Sequence, residues 1–168
     1  DSLKVLVLTG GESFLLKDDL IEIVKYGSSK GLVTRIVTNA FWAKDYQTAY
    51  DILLNLRENG LNEINYSTGD DHQEWVPYDN IVNACIAAMD LNLICIVNVE
   101  THDNSIFDGN TFFQDSRLST YFDYTKYEKP LKIEKGLWIP FNSDSHITSD
   151  TIVPKEDVSK TRCHSLFT

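Results

Sequence analysis

Cysteine is scarce and badly placed for a metal or disulfide framework: the chain has three, Cys85, Cys95 and Cys163, and no Cys-x-x-Cys pair. That argues against a zinc module and against a stapled secreted scaffold, and it fits a reducing compartment. Basic residues are few. With 15 Lys+Arg against 25 Asp+Glu the formal net charge is −10, and no cationic cluster overrides it, so phosphate backbones are repelled and nucleic acid is not an expected partner. Long apolar runs are missing as well. The strongest, around Leu93–Val97, falls far short of the roughly 20 residues a spanning helix needs, so no membrane is expected and the cytoplasm is the default location.

What remains is an ordinary globular composition, 42% hydrophobic and 24% charged over 168 residues, enough for one domain with a buried core. The chain opens on Asp1-Ser2 and enters a strand-like run at once, which we read as a fragment of a longer protein.

Four β-rich runs begin at Leu3 (LKVLVL), Thr34 (TRIVT), Glu63 (EINYST) and Leu93 (LICIVNV), at steps of 31, 29 and 30 residues. One strand, one returning helix and two loops fill such a step, which is the βαβ unit of a parallel sheet. The intervening segments carry helix signals. Asp19 with Glu22 resembles a capping box ahead of Leu20, Ile23 and Val24, and Gly31 stands where the helix should stop. Asp45 reads as the N-cap of a second helix bearing Ala49, Ile52, Leu53 and Leu56 and stopped by Gly60. Pro77 suits the first position of a third, whose stripe of Ile81, Val82, Cys85, Ile86 and Met89 makes Cys85 a core residue. Further on, Asp108–Phe122 is compatible with a helix and Leu131–Phe141 with a strand, while residues 142–168 form a polar tail.

Ligands of parallel α/β proteins collect at the carboxyl ends of the strands. The four loops there are Thr9–Ser13, Thr38–Trp42, Ser67–Trp75 and Asn98–His102, all rich in hydrogen-bonding groups. Parity places Ile94, Ile96, Asn98 and Glu100 on one face of the fourth strand, apolar first and polar last, and puts Asn65 with Ser67 on one face of the third. Cys95 points the other way.

Gly10-Gly11-Glu12 after LKVLVLT, Thr38-Asn39 one unit later and Ser67 on the next strand resemble the radical S-adenosylmethionine (SAM) superfamily. TNAFWAKD at Thr38–Asp45 and STGDDHQEWVP at Ser67–Pro77 are similar to motifs of one group within it. The resemblance covers about the first 100 residues. It implies an α/β fold in which residues 1–141 form part of a truncated (β/α)6 TIM-like barrel, from the second strand onward.

By resemblance, Gly10, Gly11 and Glu12 hold the methionyl end of SAM, with Thr38 and Asn39 beside them. The same likeness puts Ser67 on the ribose, with Asn98 or Glu100 as helpers, and Asp70 one position later than the usual acid. In the complete protein a four-iron four-sulfur cluster reductively cleaves SAM, giving a 5′-deoxyadenosyl radical that abstracts hydrogen from an unnamed substrate. An uncapped barrel mouth favours a peptide or another large molecule as that substrate.

Several positions depart from the family pattern. No CxxxCxxC loop is present and none of the three cysteines can replace it, so the cluster ligands are expected upstream and this chain alone is expected to be inactive. Ser13 stands for Pro, Ala40 for Gly and Gly69 for Asp. The carboxylates and His72 of the loop Asp70–Glu74 read as helix-start and loop-fixing groups rather than metal ligands. Cys163-His164 alone does not establish a second cluster.

Two other readings stay open. One is a non-catalytic nucleotide-binding or regulatory module on an open, doubly wound sheet. The other is a phosphate site on the Gly10-Gly11 turn, against which Glu12 argues by charge.

Overall fold

The computed structural model describes residues 3–101 and 105–137. They fall in one compact unit, Asp1–Leu137, whose limit precedes the boundary at 141 read from the sequence. His102, Trp138–Pro140, Cys163, His164 and the tail lie outside the described residues.

Five strands form a single all-parallel sheet in chain order: β1 (Val5–Leu8), β2 (Val33–Thr38), β3 (Glu63–Gly69), β4 (Ile94–Thr101) and β5 (Lys132–Leu137). The helices between them are α1 (Asp18–Ser29), α2 (Tyr46–Glu58), the short α3 (Asp70–Gln73), α4 (Tyr78–Asp90) and the short α5 (Asn110–Gln114). The order never reverses. Right-handed crossovers that always step the same way put every helix on one face of the sheet.

Contacts bear this out at three of the four crossovers. Gly27 of α1 leaves room for Leu6 and Thr34, Tyr66 donates its hydroxyl to the Ala84 carbonyl of α4 at 3.1 Å, and Gly109 packs on Val99 and Ile133. All five strand residues share one face by register. That face is the core: Ile36, Ile64, Tyr66, Cys95, Val97 and Val99 are buried, with α1 packed on β2, α4 on β3 and β4, and α2 against α4. Cys85 and Cys95 meet there as free thiols, burial pushing the Cys85 thiol far up. A doubly wound sheet needs a reversal of strand order, and there is none among the described strands.

The opposite face has no helix among the described residues, and its rows run Val7–Arg35–Glu63–Ile94, Val37–Asn65–Ile96–Lys132 and Ser67–Asn98–Glu134. Arg35 and Glu63 form a nearly buried bidentate ion pair, Nε to Oε1 at 2.7 Å and Nη2 to Oε2 at 3.0 Å. Asn65, with its amide turned to suit its neighbours, donates to the same Oε1 at 2.9 Å.

Local starts and stops follow the sequence with three corrections. Asp45 caps α2 as expected, accepting from Thr48 N at 2.8 Å, and Gly31 and Gly60 take positive φ just past α1 and α2. The first correction is at α1, which has no capping box: a 3-10 turn at Ser13–Leu16 runs straight into it, and Lys17 at φ 50 is the junction. The second is at Pro77, which precedes the first helical residue instead of occupying it. The third is in the segment 108–122, which breaks into α5 and a 3-10 turn at Ser119–Phe122. Asp115 causes the break, because its carboxylate accepts from Arg117 N at 2.9 Å and offers the backbone an alternative to the helix.

Candidate functional site

Two groups of polar side chains gather at the carboxyl ends of the strands. The first joins β1 to β2. Glu12 caps the 3-10 turn by accepting from Phe14 N at 3.0 Å, and its carboxylate also accepts from the Thr38 hydroxyl at 2.7 Å and from Asn39 N at 2.9 Å. Glu12 is thereby joined to Thr38 and Asn39, with Gly10 and Gly11 preceding it in the same loop. Gly10, at φ 140, adopts a backbone that needs glycine, and a Cβ on either Gly10 or Gly11 would meet nothing within 4 Å. Among the described residues, none stands over either glycine within that distance.

The same junction explains two departures from the motif. Ser13 is buried and donates to the Val37 carbonyl at 3.1 Å, anchoring the loop on β2. Ala40 is held at φ 60, a left-handed conformation costing an alanine about 1 kcal/mol, by bonds on either side. Its own N donates to Thr38 Oγ1 at 3.1 Å, and Phe41 N donates to Asn39 Oδ1 at 3.0 Å. Asn39 therefore also serves as the turn residue that its type favours.

The second group lies at the ends of β3 and β4. Ser67 and Asn98 are register partners on the open face, and Gly69 is the partner of Glu100 one layer further out. A Cβ at Gly69 would collide with the Glu100 carbonyl oxygen, so the Asp seen at this position in the family has no room here. His72 Nδ1 lies 3.3 Å from Glu100 Oε2, an ion pair when the imidazole is protonated. Burial raises the Glu100 carboxyl above its usual range; Asp71 adds to the rise and His72 opposes it. Asp70 is placed differently from Ser67 and Asn98. Its two oxygens accept from Ile106 N at 2.8 Å and Phe107 N at 3.0 Å, so it fastens the loop after β4.

Several features escaped the sequence reading. Trp42 is buried and donates Nε1–H to Thr38 Oγ1 at 3.1 Å, with its ring stacked on Phe14 at 4.3 Å. The ion pair of Arg35 and Glu63 is another; its signal is the single charged residue that each of these two strands carries. A groove of about 230 Å³ opens between α1 and α2, lined by Phe14, Leu20, Ile21, Phe41, Trp42 and Ile52 among others. It is apolar and borders the helices, whereas the polar groups converge at the strand ends. We place the candidate site at the latter because hydrogen-bonding groups from several strands meet there at a loop-rich edge.

Among the described residues no group of three or more His, Cys, Asp or Glu is arranged to hold a metal ion. Cys85 and Cys95 are buried on the helix-facing side, away from both polar groups, and do not fit as cluster ligands. Compared with known proteins, the chain matches no family model and no curated protein.

Proposed function

We propose that this chain is the SAM-binding core of a radical SAM enzyme, and that its sheet is an arc of an incomplete (β/α)6 barrel with the site at the strand ends. The observation that carries the reading is the hydrogen-bonded junction of Gly10-Gly11-Glu12 with Thr38-Asn39 beneath clear space. A single-handed progression of strands with the helices on one face supports the barrel arc.

SAM fits the residues present. A carboxylate offers about four acceptor positions, and Glu12 uses three, leaving room for one donor such as the methionyl ammonium. The exposed glycine backbone allows close approach, and Ser67 and Asn98, neighbours on the open face, would serve the ribose hydroxyls. When bound at a reduced iron–sulfur cluster, SAM supplies hydrogen-abstraction chemistry. This chain's own share is to bind and orient.

The test is the full-length protein containing this chain, reconstituted anaerobically with iron and sulfide and given SAM and dithionite. Production of 5′-deoxyadenosine, lost in Glu12→Ala, is the expected result. One observation favours a second reading: Glu12 already serves the fold by capping a turn and pinning β2. A nucleotide-binding module would bind adenosyl ligands without ever yielding 5′-deoxyadenosine.

A further inference from the structure

Glu12, Phe14, Trp42 and Thr38 close a ring of contacts. Glu12 caps Phe14 N, the Phe14 ring stacks on Trp42 at 4.3 Å, Trp42 Nε1–H donates to Thr38 Oγ1 at 3.1 Å, and Thr38 donates to Glu12 Oε1 at 2.7 Å. The hydroxyl at the hinge of this ring has one proton and two lone pairs. Ala40 N and Trp42 Nε1 fill both lone pairs, so the proton has one direction left, toward Glu12. Without the indole N–H, the hydroxyl is free to rotate or to accept from water.

The acceptor positions of Glu12 are used unevenly. Oε1 takes two donors, Phe14 N and Thr38, while Oε2 takes only Asn39 N. We propose that Trp42 is a positioning residue which, through the Thr38 hydroxyl, holds Glu12 with Oε2 turned to receive the ammonium of an adenosyl-methionyl ligand. The inference rests on the function proposed above and adds to it a residue outside the Gly-Gly-Glu motif and a particular oxygen. Because Trp42 acts on the ammonium end alone, its loss should be felt only by ligands that carry that amine.

The experiment is calorimetric titration of the full-length protein, reconstituted anaerobically, with two ligands. SAM has the amine; 5′-methylthioadenosine keeps the nucleoside and lacks both amine and carboxylate. Trp42→Phe retains a ring to stack on Phe14 and removes the N–H together with part of the buried indole's volume, a loss that the second ligand controls for. It is expected to weaken SAM about three- to tenfold, the worth of roughly one hydrogen bond, while methylthioadenosine stays within about twofold. Thr38→Val reads the same link from its other end and is expected to weaken SAM at least as much, and the double variant no more than Thr38→Val alone.

An unchanged SAM affinity in Trp42→Phe overturns the inference, as does an equal loss for both ligands, which would mark general damage. If Glu12→Gln weakens SAM and Trp42→Phe does not, this inference alone fails. Wild-type protein that binds neither ligand refutes the proposed function and the inference with it.

Discussion

Gly69 lies so close to the carbonyl oxygen of Glu100 that no side chain fits at position 69. Its backbone, at φ 158 and ψ −178, is also one that essentially only glycine occupies. The contact joins the ends of two central strands just where Ser67, Asn98 and Glu100 present their polar groups. Gly69→Ala is expected to cost about 2–3 kcal/mol in urea unfolding, since the clash is with backbone and cannot be relieved by a rotamer.

Gly11 makes the opposite case. A Cβ there meets nothing, so Gly11→Ala is expected to leave stability within about 0.5 kcal/mol of wild type. The added methyl would stand in the space where we propose that the ligand binds, and SAM affinity is expected to fall about tenfold or more. Loss of stability with no loss of affinity would show that the turn is merely structural.

Asp70 fastens the loop after β4 through the amides of Ile106 and Phe107. Hydrogen bonds to a carboxylate contribute about 1.5–3 kcal/mol. Asp70→Ala is therefore expected to accelerate amide exchange at those two positions by roughly tenfold or more, with the interior of β3 and β4 unaffected.

Glu100 gives the fold a pH signature with a definite sign. Burial, with help from Asp71 and against His72, raises its carboxyl above the ordinary 4.5, so the folded state keeps the proton to higher pH than the unfolded chain. The stability tied to this group is complete at low pH and is lost as pH rises from 4.5 through the folded value. Glu100→Gln cannot lose a proton. The urea midpoint of wild type relative to Glu100→Gln is expected to fall as pH is raised through that window, and parallel profiles would contradict the assignment.

Much of the fold was legible because a βα repeat writes its two periods into the chain. The 30-residue step located β1 to β4, and Asp45, Gly31 and Gly60 marked real helix ends. What escaped depended on partners distant in sequence. No local pattern says that the Trp42 indole finds Thr38, or that Arg35 and Glu63 fall in register on neighbouring strands. Asp115 breaks the helix read over 108–122 by bonding Arg117, a local contest that apolar periodicity does not see. The grouping of Gly10–Glu12 with Thr38-Asn39 was readable from the motif, whereas the capping duty of Glu12 was not, since the 3-10 turn it caps carries no strong signal.

The central claim is where an adenosyl ligand sits, and amide hydrogen exchange of the full-length protein with and without SAM tests it directly. Slowed exchange is expected at residues 9–12, 38–40, 67–69 and 98–100, the ends of the first four strands, with α1 and α2 unchanged. Protection confined to the walls of the groove between α1 and α2, or no protection anywhere, would contradict the placement of the site and the function built on it.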